Sequence, residues 1–278
     1  MKSRSAPINP AIAAFEAERA TSIAGYPALT EWHKVSLEWM RFAFKHRYMY
    51  NFSVMDRPII QTPVDAMAFQ ELVWRVKPDL IIETGVAHGG SLVLSASMLA
   101  LIDYCEAAEA GESLDPRQPK RRVLGVDIDI RAHNRAAIEA HPMASRIDLL
   151  QGSSLADAVI DEVRKRAAGA KSVLVCLDSN HTHDHVLKEL ELYAPLVSPG
   201  SYCVVFDSIV EDLPADAFPD RPWKPGDNPK TAVWAYLEQL AAVSQRDGQG
   251  RVLCFEIDKA IENKLMLTVA PDGYLRRV

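Results

Sequence analysis

The chain has 278 residues, of which 48% are hydrophobic and 24% charged, so it can bury a core and does not have the composition of a disordered protein. Its net charge of −6, with no lysine- or arginine-rich stripe, argues against a nucleic-acid partner, because phosphate binding needs clustered positive charge. No run of about 18 or more apolar residues predicts a membrane span, and no apolar segment of a signal peptide follows the basic N-terminal residues.

The first part of the chain is predicted to be helical. Residues 11–20, 28–46 and 65–76 have helical patterns, and the proline-containing residues 51–63 predict an extended loop. We predict an N-terminal helical extension over residues 1–75 and a second domain over residues 76–278. The apolar second helix should pack on the cofactor site or on a neighbouring subunit, so we expect a homo-oligomer.

The fold prediction centres on a strand, a glycine-rich turn and a helix that begin at residues 79–91, with the sequence D-L-I-I-E-T-G-V-A-H-G-G-S. The apolar residues 80–82 predict a buried parallel strand, and a helix is expected from Ser91. Between them lie an acid and three glycines: Glu83, Gly85, Gly89 and Gly90. Glycine lets a backbone approach a ligand closely, and a helix N-terminus favours an anionic group.

The glycine spacing separates two classes of cofactor. A dinucleotide motif would need glycine at Ala87, whereas E-x-G-x-x-x-G-G-S resembles motif I of class I S-adenosylmethionine-dependent methyltransferases. That resemblance implies that the glycines make room for the methionine part of the cofactor and that Ser91 binds its carboxylate. The alternative is a tight strand-to-helix turn without a ligand.

Strands and helices then alternate to near the end of the chain. Residues 103–122 are predicted to be an exposed insertion. Further strands are predicted at residues 122–127, 146–152, 172–178, 201–207, 251–257 and 265–270. This alternation predicts an α/β fold with a mostly parallel sheet covered on both faces.

Acidic residues end four of these strands: Glu83, Asp127, Asp178 and Asp207. Ligands bind at that edge of open α/β sheets. A carboxylate at Asp127 can accept hydrogen bonds from both ribose hydroxyls of S-adenosylmethionine or of NAD. In the methyltransferase family the end of the next strand, here Ser153 and Ser154, contacts adenine.

Residues 178–185, D-S-N-H-T-H-D-H, form a second polar stretch. The three alternating histidines allow a zinc site, or they belong to a loop that caps the next helix. Asp178 and Asp207 at adjacent strand ends could instead share Mg²⁺, which prefers oxygen ligands and lowers the pKa of a bound hydroxyl. His181 is then the candidate catalytic base, with Asp178 beside it.

Asp178-x-x-His181 followed by Asp207-Ser208 resembles the metal and base arrangement of metal-dependent O-methyltransferases of the catechol O-methyltransferase type. In those enzymes a lysine base follows the first acid by three residues, and an asparagine ligand follows the second acid. Here His181 replaces the lysine and Ser208 replaces the asparagine. The resemblance implies Asp178, Asp207 and Ser208 as metal ligands, with Asp178 also at the cofactor.

A second resemblance covers about residues 50 to 278. The chain is similar to the cephalosporin hydroxylase-like family, which includes rhamnosyl O-methyltransferases, at residues 58–63, 77–85, 88–91, 178–186, 227–233 and 271–276. It implies a Rossmann-like sheet of seven strands with an antiparallel last strand, S-adenosylmethionine as cofactor, and a sugar or polar small molecule as acceptor.

Two features after the fifth predicted strand stay open. The proline-rich residues 211–230 form either a lid or a surface excursion. Asn228 and Lys230 either close over the site or cap the helix that begins near Thr231.

We therefore predict a cytoplasmic, metal-assisted O-methyltransferase. Its four cysteines form no C-x-x-C pair, and three lie in apolar runs, which indicates buried thiols in a reducing compartment. One alternative is a non-catalytic S-adenosylmethionine-binding or assembly subunit, favoured by Ser208 in place of an amide or acid. An NAD-dependent oxidoreductase is the other, and the glycine spacing disfavours it.

Overall fold

A computed structural model describes residues 9–278, so residues 1–8, where no signal peptide is predicted, lie outside the described residues. Helices α1 (Pro10–Gly25), α2 (Thr30–Lys45) and α3 (Pro63–Val76) and a hairpin of β1 (Phe52–Val54) and β2 (Arg57–Ile59) come first. The strands of the main sheet are β3 (Leu80–Thr84), β4 (Arg122–Asp127), β5 (Ile147–Gln151), β6 (Val173–Leu177), β7 (Tyr202–Val205), β8 (Phe255–Ile257) and β9 (Tyr274–Arg277). The helices after α3 are α4 (Gly90–Ala110), α5 (Ala132–Glu139), α6 (Asp157–Ala167), α7 (His183–Tyr193), α8 (Pro229–Ala242) and α9 (Lys259–Leu265).

The main sheet has seven strands in the order β5-β4-β3-β6-β7-β9-β8. Strands β3 to β7 pair in parallel, and the last strand of the chain, β9, is antiparallel to both of its neighbours. This confirms the predicted fold class. Because β3, β4, β6 and β7 run in parallel, their carboxyl ends meet at one edge of the sheet.

The apolar residues of β3 form a strand because β3 lies in the middle of the sheet. It is hydrogen-bonded on both sides, with Ile82 opposite Leu124 on one side and Val175 on the other. Its side chains alternate between two cores, so Ile81 packs beneath α3 and α4 while Ile82 packs towards α6, α7 and α8. Glu83, two residues after Ile81, therefore belongs to the α4 face of the sheet.

Helix α4 is long and apolar enough to cross a membrane by length and composition, the one such helix in residues 9–278. Half of that apolar window is buried, with Leu92, Leu99 and Ile102 in the core beneath it. The apolar side chains of α4 thus cover one face of the sheet.

The predicted exposed insertion is wrong at its start. Helix α4 continues to Ala110 and ends at Gly111 in a left-handed conformation. Asp103 is buried within it and is bound by Arg121 and by Arg146, whose Nη1 lies 2.5 Å from Asp103 Oδ2. A charged sequence therefore hides a buried ion-pair cluster, because paired charges can be buried where single charges cannot.

The predicted strand over residues 265–270 is also wrong. Residues 259–265 form α9, which Asp258 caps by accepting a hydrogen bond from the Ala260 N–H, and the final strand is β9. The apolar run after α9 is buried for another reason: the Val269 N–H donates to the Asp65 carboxylate on α3. Burial against a helix produced the apolar pattern that the sequence analysis assigned to a strand.

Helices α1 and α2 bury fewer side chains than the sequence predicts. Met40 and Ala43 of α2 join the core, but α1 buries none of its residues. Large apolar side chains of both helices stay exposed, among them Phe15, Trp32, Val35 and Phe42. Helix α3 packs on α4 and α9, whereas the predicted domain boundary at residues 75 and 76 stays a prediction.

Candidate active site

A cavity of about 520 Å³ lies at the carboxyl ends of β3, β6 and β7. Buried Glu83 and half-buried Asp178 and Asp207 line it together with the glycine turn after β3, and we call this part its inner end. The turn after α2, the hairpin and the segment between β7 and α8 supply its other walls. The sheet edge at which the sequence predicts a ligand site is thus enclosed by residues of both predicted domains.

The glycine turn is shaped by close approaches of backbone to backbone. Gly85 has φ +91°, and a Cβ atom there would collide with the carbonyl of Asp178. A Cβ atom at Gly90 would collide with the carbonyl of Pro58 in the hairpin. Both positions therefore require glycine, which brings the N-terminus of α4 between the β6 end and the hairpin.

Glu83 and Ser91 form a buried pair at this turn. The Ser91 hydroxyl donates a hydrogen bond to Glu83 Oε1, and the carboxyl group is almost fully enclosed. Burial raises the pKa of Glu83 to about 7, and the Ser91 hydrogen bond offsets part of that shift. Glu83, Gly85, Gly90 and Ser91 all line the cavity, as a cofactor site at this turn requires.

Four other predicted cofactor residues do not line the cavity: Gly89, Asp127, Ser153 and Ser154. Asp127 Oδ2 accepts a hydrogen bond from the Val86 N–H at 2.8 Å, so this carboxylate supports the glycine turn. Ser154 is buried, with its hydroxyl 3.3 Å from His185 Nε2. Their contact with a cofactor stays a prediction.

Asp178, His181 and Asp207 converge at the inner end of the cavity. One ligand atom of each side chain lies within 4.8 Å of the others, the one such group of three in the described part of the chain. His181 Nε2 lies 3.2 Å from Asp207 Oδ2. Asp207 adopts a left-handed backbone with φ +55°, a conformation that non-glycine residues adopt mainly where surrounding structure holds them.

The electrostatics of this group favour a bound cation. Loss of solvent raises the pKa of Asp178 well above its usual range, and the negative charges of Asp207 and Glu83 raise it further. No lysine or arginine within residues 9–278 forms an ion pair with Asp178 or Asp207. A positive charge between the two carboxylates would relieve their repulsion.

Ser208 does not complete the group, which corrects its assignment as a metal ligand. Its side chain is fully buried, and its hydroxyl donates a 2.5 Å hydrogen bond to the carbonyl of Pro271. A short helical turn begins at Ser208 and directs it away from the cavity, which it does not line.

The three histidines of the polar stretch do not converge, so the zinc alternative finds no support. His183 Nδ1 lies 2.8 Å from the Thr231 hydroxyl, and the His183 backbone N–H donates to Asp227 Oδ1. His185 Nε2 lies 3.1 Å from the Ser179 hydroxyl and near the buried Glu189. These two histidines anchor α7, and His181 alone faces the acids.

The proline-rich segment covers the cavity. Ala217, Phe218, Arg221 and Trp223 line it, and the Trp223 ring packs edge-on against His181 with centroids 4.7 Å apart. We call residues 213–225 the cover segment. Asn228 and Lys230 lie at its base, where Asn228 caps α8 and Lys230 Nζ lies 2.6 Å from Asp212.

Sequence patterns do not identify the aromatic and basic residues at the exposed end of the cavity, which we call its mouth, chiefly Arg47, Tyr50, Arg221 and Trp223. They come from two loops that are far apart in the chain. Only the prolines around the cover segment indicated that this region is a loop, and nothing in the sequence indicated that the turn after α2 lies opposite it.

Comparison with known proteins relates this geometry to one family. The sequence profile of the family described as Rhamnosyl O-methyltransferase/CmcI matches residues 46–278. A rhamnosyl O-methyltransferase of Mycobacterium tuberculosis strain H37Rv is 29% identical over 217 residues, which cover 77% of this chain and 73% of that protein. The rhamnosyl O-methyltransferase of Mycobacterium leprae is also 29% identical, over 77% of each chain.

Two solved structures of CmcI share the fold. An apo structure is 18% identical with a TM-score of 0.53, and it covers 82% of this chain and 77% of that chain. A structure whose name includes Mg and S-adenosylmethionine is 17% identical with a TM-score of 0.51 and the same coverage. Their similarity supports the class I methyltransferase fold of the sheet.

Proposed function

Because the chain belongs to the rhamnosyl O-methyltransferase/CmcI family, we propose that it transfers a methyl group from S-adenosylmethionine to a hydroxyl of a sugar or polar natural product, assisted by a divalent cation. One observation carries this function: Asp178, His181 and Asp207 converge in the same cavity as the glycine turn. The family assignment favours transfer chemistry over the non-catalytic and NAD-dependent alternatives.

The residues present fit a hard cation such as Mg²⁺. Asp178 and Asp207 offer carboxylate oxygens, the ligands that Mg²⁺ prefers, and waters can fill its remaining positions. When bound, the cation lowers the pKa of an acceptor hydroxyl. The CmcI structure named with Mg and S-adenosylmethionine supports this choice by analogy of fold.

Mg²⁺ binds imidazole less readily than carboxylate, so the imidazole of His181 stays free to accept a proton. His181 is therefore the proposed base. It accepts the proton of the acceptor hydroxyl. With S-adenosylmethionine bound, the hydroxyl oxygen would bond to the methyl carbon as the carbon–sulfur bond breaks, and the electron pair of that bond would stay on the sulfur of S-adenosylhomocysteine. Asp207, 3.2 Å from His181 Nε2, and the Trp223 ring restrict the orientation of the imidazole.

The cofactor is proposed to lie along the glycine turn. Gly85 and Gly90 permit close approach of its methionine part, and the N-terminus of α4 provides unpaired N–H groups for a carboxylate. The Ser91 hydroxyl donates to Glu83 at this turn, so it can orient either the Glu83 carboxyl group or the cofactor carboxylate. The acceptor then enters between the turn after α2 and the cover segment.

The first experiment is calorimetric titration with S-adenosylmethionine, with and without Mg²⁺, using NAD as the control ligand. We expect micromolar binding of S-adenosylmethionine and none of NAD. Labelled methyl transfer to a panel of sugars, with EDTA-treated enzyme as the comparison, then tests the chemistry. Absence of S-adenosylmethionine binding under all conditions would contradict the proposed function.

We further propose a homo-oligomer in the cytoplasm. The exposed apolar residues of α1 and α2, such as Trp32, Val35 and Phe42, support association, because a monomer would leave them in water. The four cysteines of the described chain are free thiols, which supports a reducing compartment, but Cys254 is exposed and not buried as predicted. Light scattering coupled to size-exclusion chromatography measures the assembly, and a monomer at micromolar concentration would contradict it.

A further inference from the structure

We propose that the methyl acceptor is an acidic molecule, a sugar or similar polyol that carries a carboxylate or a phosphate, and that Arg47 and Arg221 bind its anionic group. This inference rests on the proposed function, because it assumes that the cavity holds the acceptor. It starts from two cations that line the mouth of the cavity.

Neither guanidinium is bound to a carboxylate or to a hydrogen-bond acceptor of the described residues. Across residues 9–278, no carboxylate lies within ion-pair distance of Arg47 or Arg221, and neither side chain donates a hydrogen bond to the protein. Many other arginines of the chain, such as Arg57, Arg121 and Arg277, are bound to carbonyls or carboxylates. The five N–H groups of each cavity arginine are thus available for a ligand.

Each guanidinium lies over an aromatic ring that also lines the cavity. Arg47 is 4.4 Å from the centroid of Tyr50, and Arg221 is 5.2 Å from that of Trp223. Stacking holds the plane of a guanidinium while its N–H edge stays free. That edge matches the two oxygens of a carboxylate or a phosphate.

The backbone brings the two arginines to the same end of the cavity. The Arg47 N–H donates to the carbonyl of Phe44, and the Arg221 N–H donates to the carbonyl of Phe218. The rings of Phe44 and Phe218 pack edge-to-face at 5.3 Å. Each arginine therefore lies one tight turn from this aromatic contact, on two segments that touch there. Arg47 has φ +54°, an uncommon conformation for a long side chain.

The distribution of charge along the cavity gives the acceptor a direction. Among the charged residues that line it, Glu83 is buried and Asp178 and Asp207 are half-buried, whereas Arg47 and Arg221 are exposed. Trp223 touches both ends, because it packs on His181 and lies beneath Arg221. An acceptor that spans this indole would present its hydroxyl to His181 and its anion to the arginines.

The test is equilibrium binding to protein saturated with S-adenosylhomocysteine and Mg²⁺. The probes are D-glucuronate, D-glucose 1-phosphate and neutral methyl α-D-glucopyranoside, titrated to millimolar concentration. The variants are Arg47→Gln, Arg221→Gln and the double variant. Arg131→Gln, an exposed arginine outside the cavity, is the matched control.

We expect at least one acidic probe to bind more tightly than the neutral one, with about a tenfold loss per arginine and no loss in the control. Comparison of the two acidic probes distinguishes a carboxylate from a phosphate. Arg221→Lys should restore part of the affinity, because it keeps the charge without the planar N–H edge. S-adenosylhomocysteine affinity should be the same in every variant.

Acidic probes that bind no better than the neutral probe, or not at all, would overturn the inference, as would wild-type affinity in the double variant. Wild-type protein that fails to bind S-adenosylhomocysteine would contradict the proposed function instead. The two failures are therefore distinguishable, since cofactor binding is measured first in every titration.

Discussion

The Nε2 atom of His181 lies 3.2 Å from Oδ2 of Asp207, although the two residues follow different strands, β6 and β7. β6 and β7 pair in parallel, with Leu177 opposite Val205, so the loops that follow them are adjacent. The contact gives His181 two possible tasks: it can receive a proton, or it can become a third ligand of the cation. Substitution separates the two.

His181→Ala should lower kcat by about 10² to 10⁴, the usual contribution of a general base, while the Mg²⁺ affinity stays within about twofold of wild type. Calorimetry with Mg²⁺ and steady-state kinetics measure the two quantities. His133→Ala, an exposed histidine on α5, is the control. Loss of Mg²⁺ binding in His181→Ala would instead make this imidazole a ligand.

Asp178→Asn should abolish Mg²⁺-dependent activity and remove the rise in Tm that Mg²⁺ produces in the wild type. The pKa of Asp178 is raised by loss of solvent and by Asp207, so ionisation of this carboxyl destabilises the metal-free fold as pH rises. Without Mg²⁺ at pH 8, the variant should therefore be at least as stable as wild type. Asp184→Asn, an exposed acid on α7, is the matched control. An Mg²⁺-induced rise in Tm that persists in Asp178→Asn would contradict the assignment.

Glu83→Gln should change how stability depends on pH. The folded pKa of Glu83 is about 7, above its usual 4.5, so its contribution to the free energy of unfolding is lost as pH rises from about 4.5 to about 7. A shift of this size corresponds to about 3 kcal/mol. Urea unfolding at pH 5 and pH 8 should show the variant gaining on wild type at the higher pH, whereas exposed Glu139→Gln should not. A constant difference between the two pH values would exclude a raised pKa for Glu83.

Asn228→Ala should loosen the base of the cover segment. The Asn228 side chain caps α8 and donates to Glu211, so we expect a loss of about 1–2 kcal/mol in unfolding free energy. Acceptor KM should rise several-fold while S-adenosylmethionine affinity is unchanged, because the acceptor is proposed to enter beside the cover segment and the cofactor to lie along the glycine turn. Asn9→Ala removes a comparable cap from α1, far from the cavity, and should leave KM unaltered.

Local sequence patterns determined the fold of this protein and the inner half of its site. The predicted fold, family and O-methyltransferase class are confirmed. The apolar residues of β3, the required glycine at Gly85 and the acids at strand ends are local features, and parallel pairing alone brings strand ends together. For that reason Asp178 and Asp207 could be paired before any coordinates were known.

Only the tertiary structure decided what lies around that inner half. A hydroxyl next to an acid looks like a ligand in sequence, but Ser208 is turned to Pro271 by a short helical turn. Residues 265–270 have the composition of a strand, yet they pack against α3, since burial has the same apolar signature in a loop. The mouth of the cavity depends on the contact of Phe44 with Phe218, which are 174 positions apart and share no local pattern. Contacts between distant segments depend on the packing of the whole chain, which no short stretch of sequence encodes.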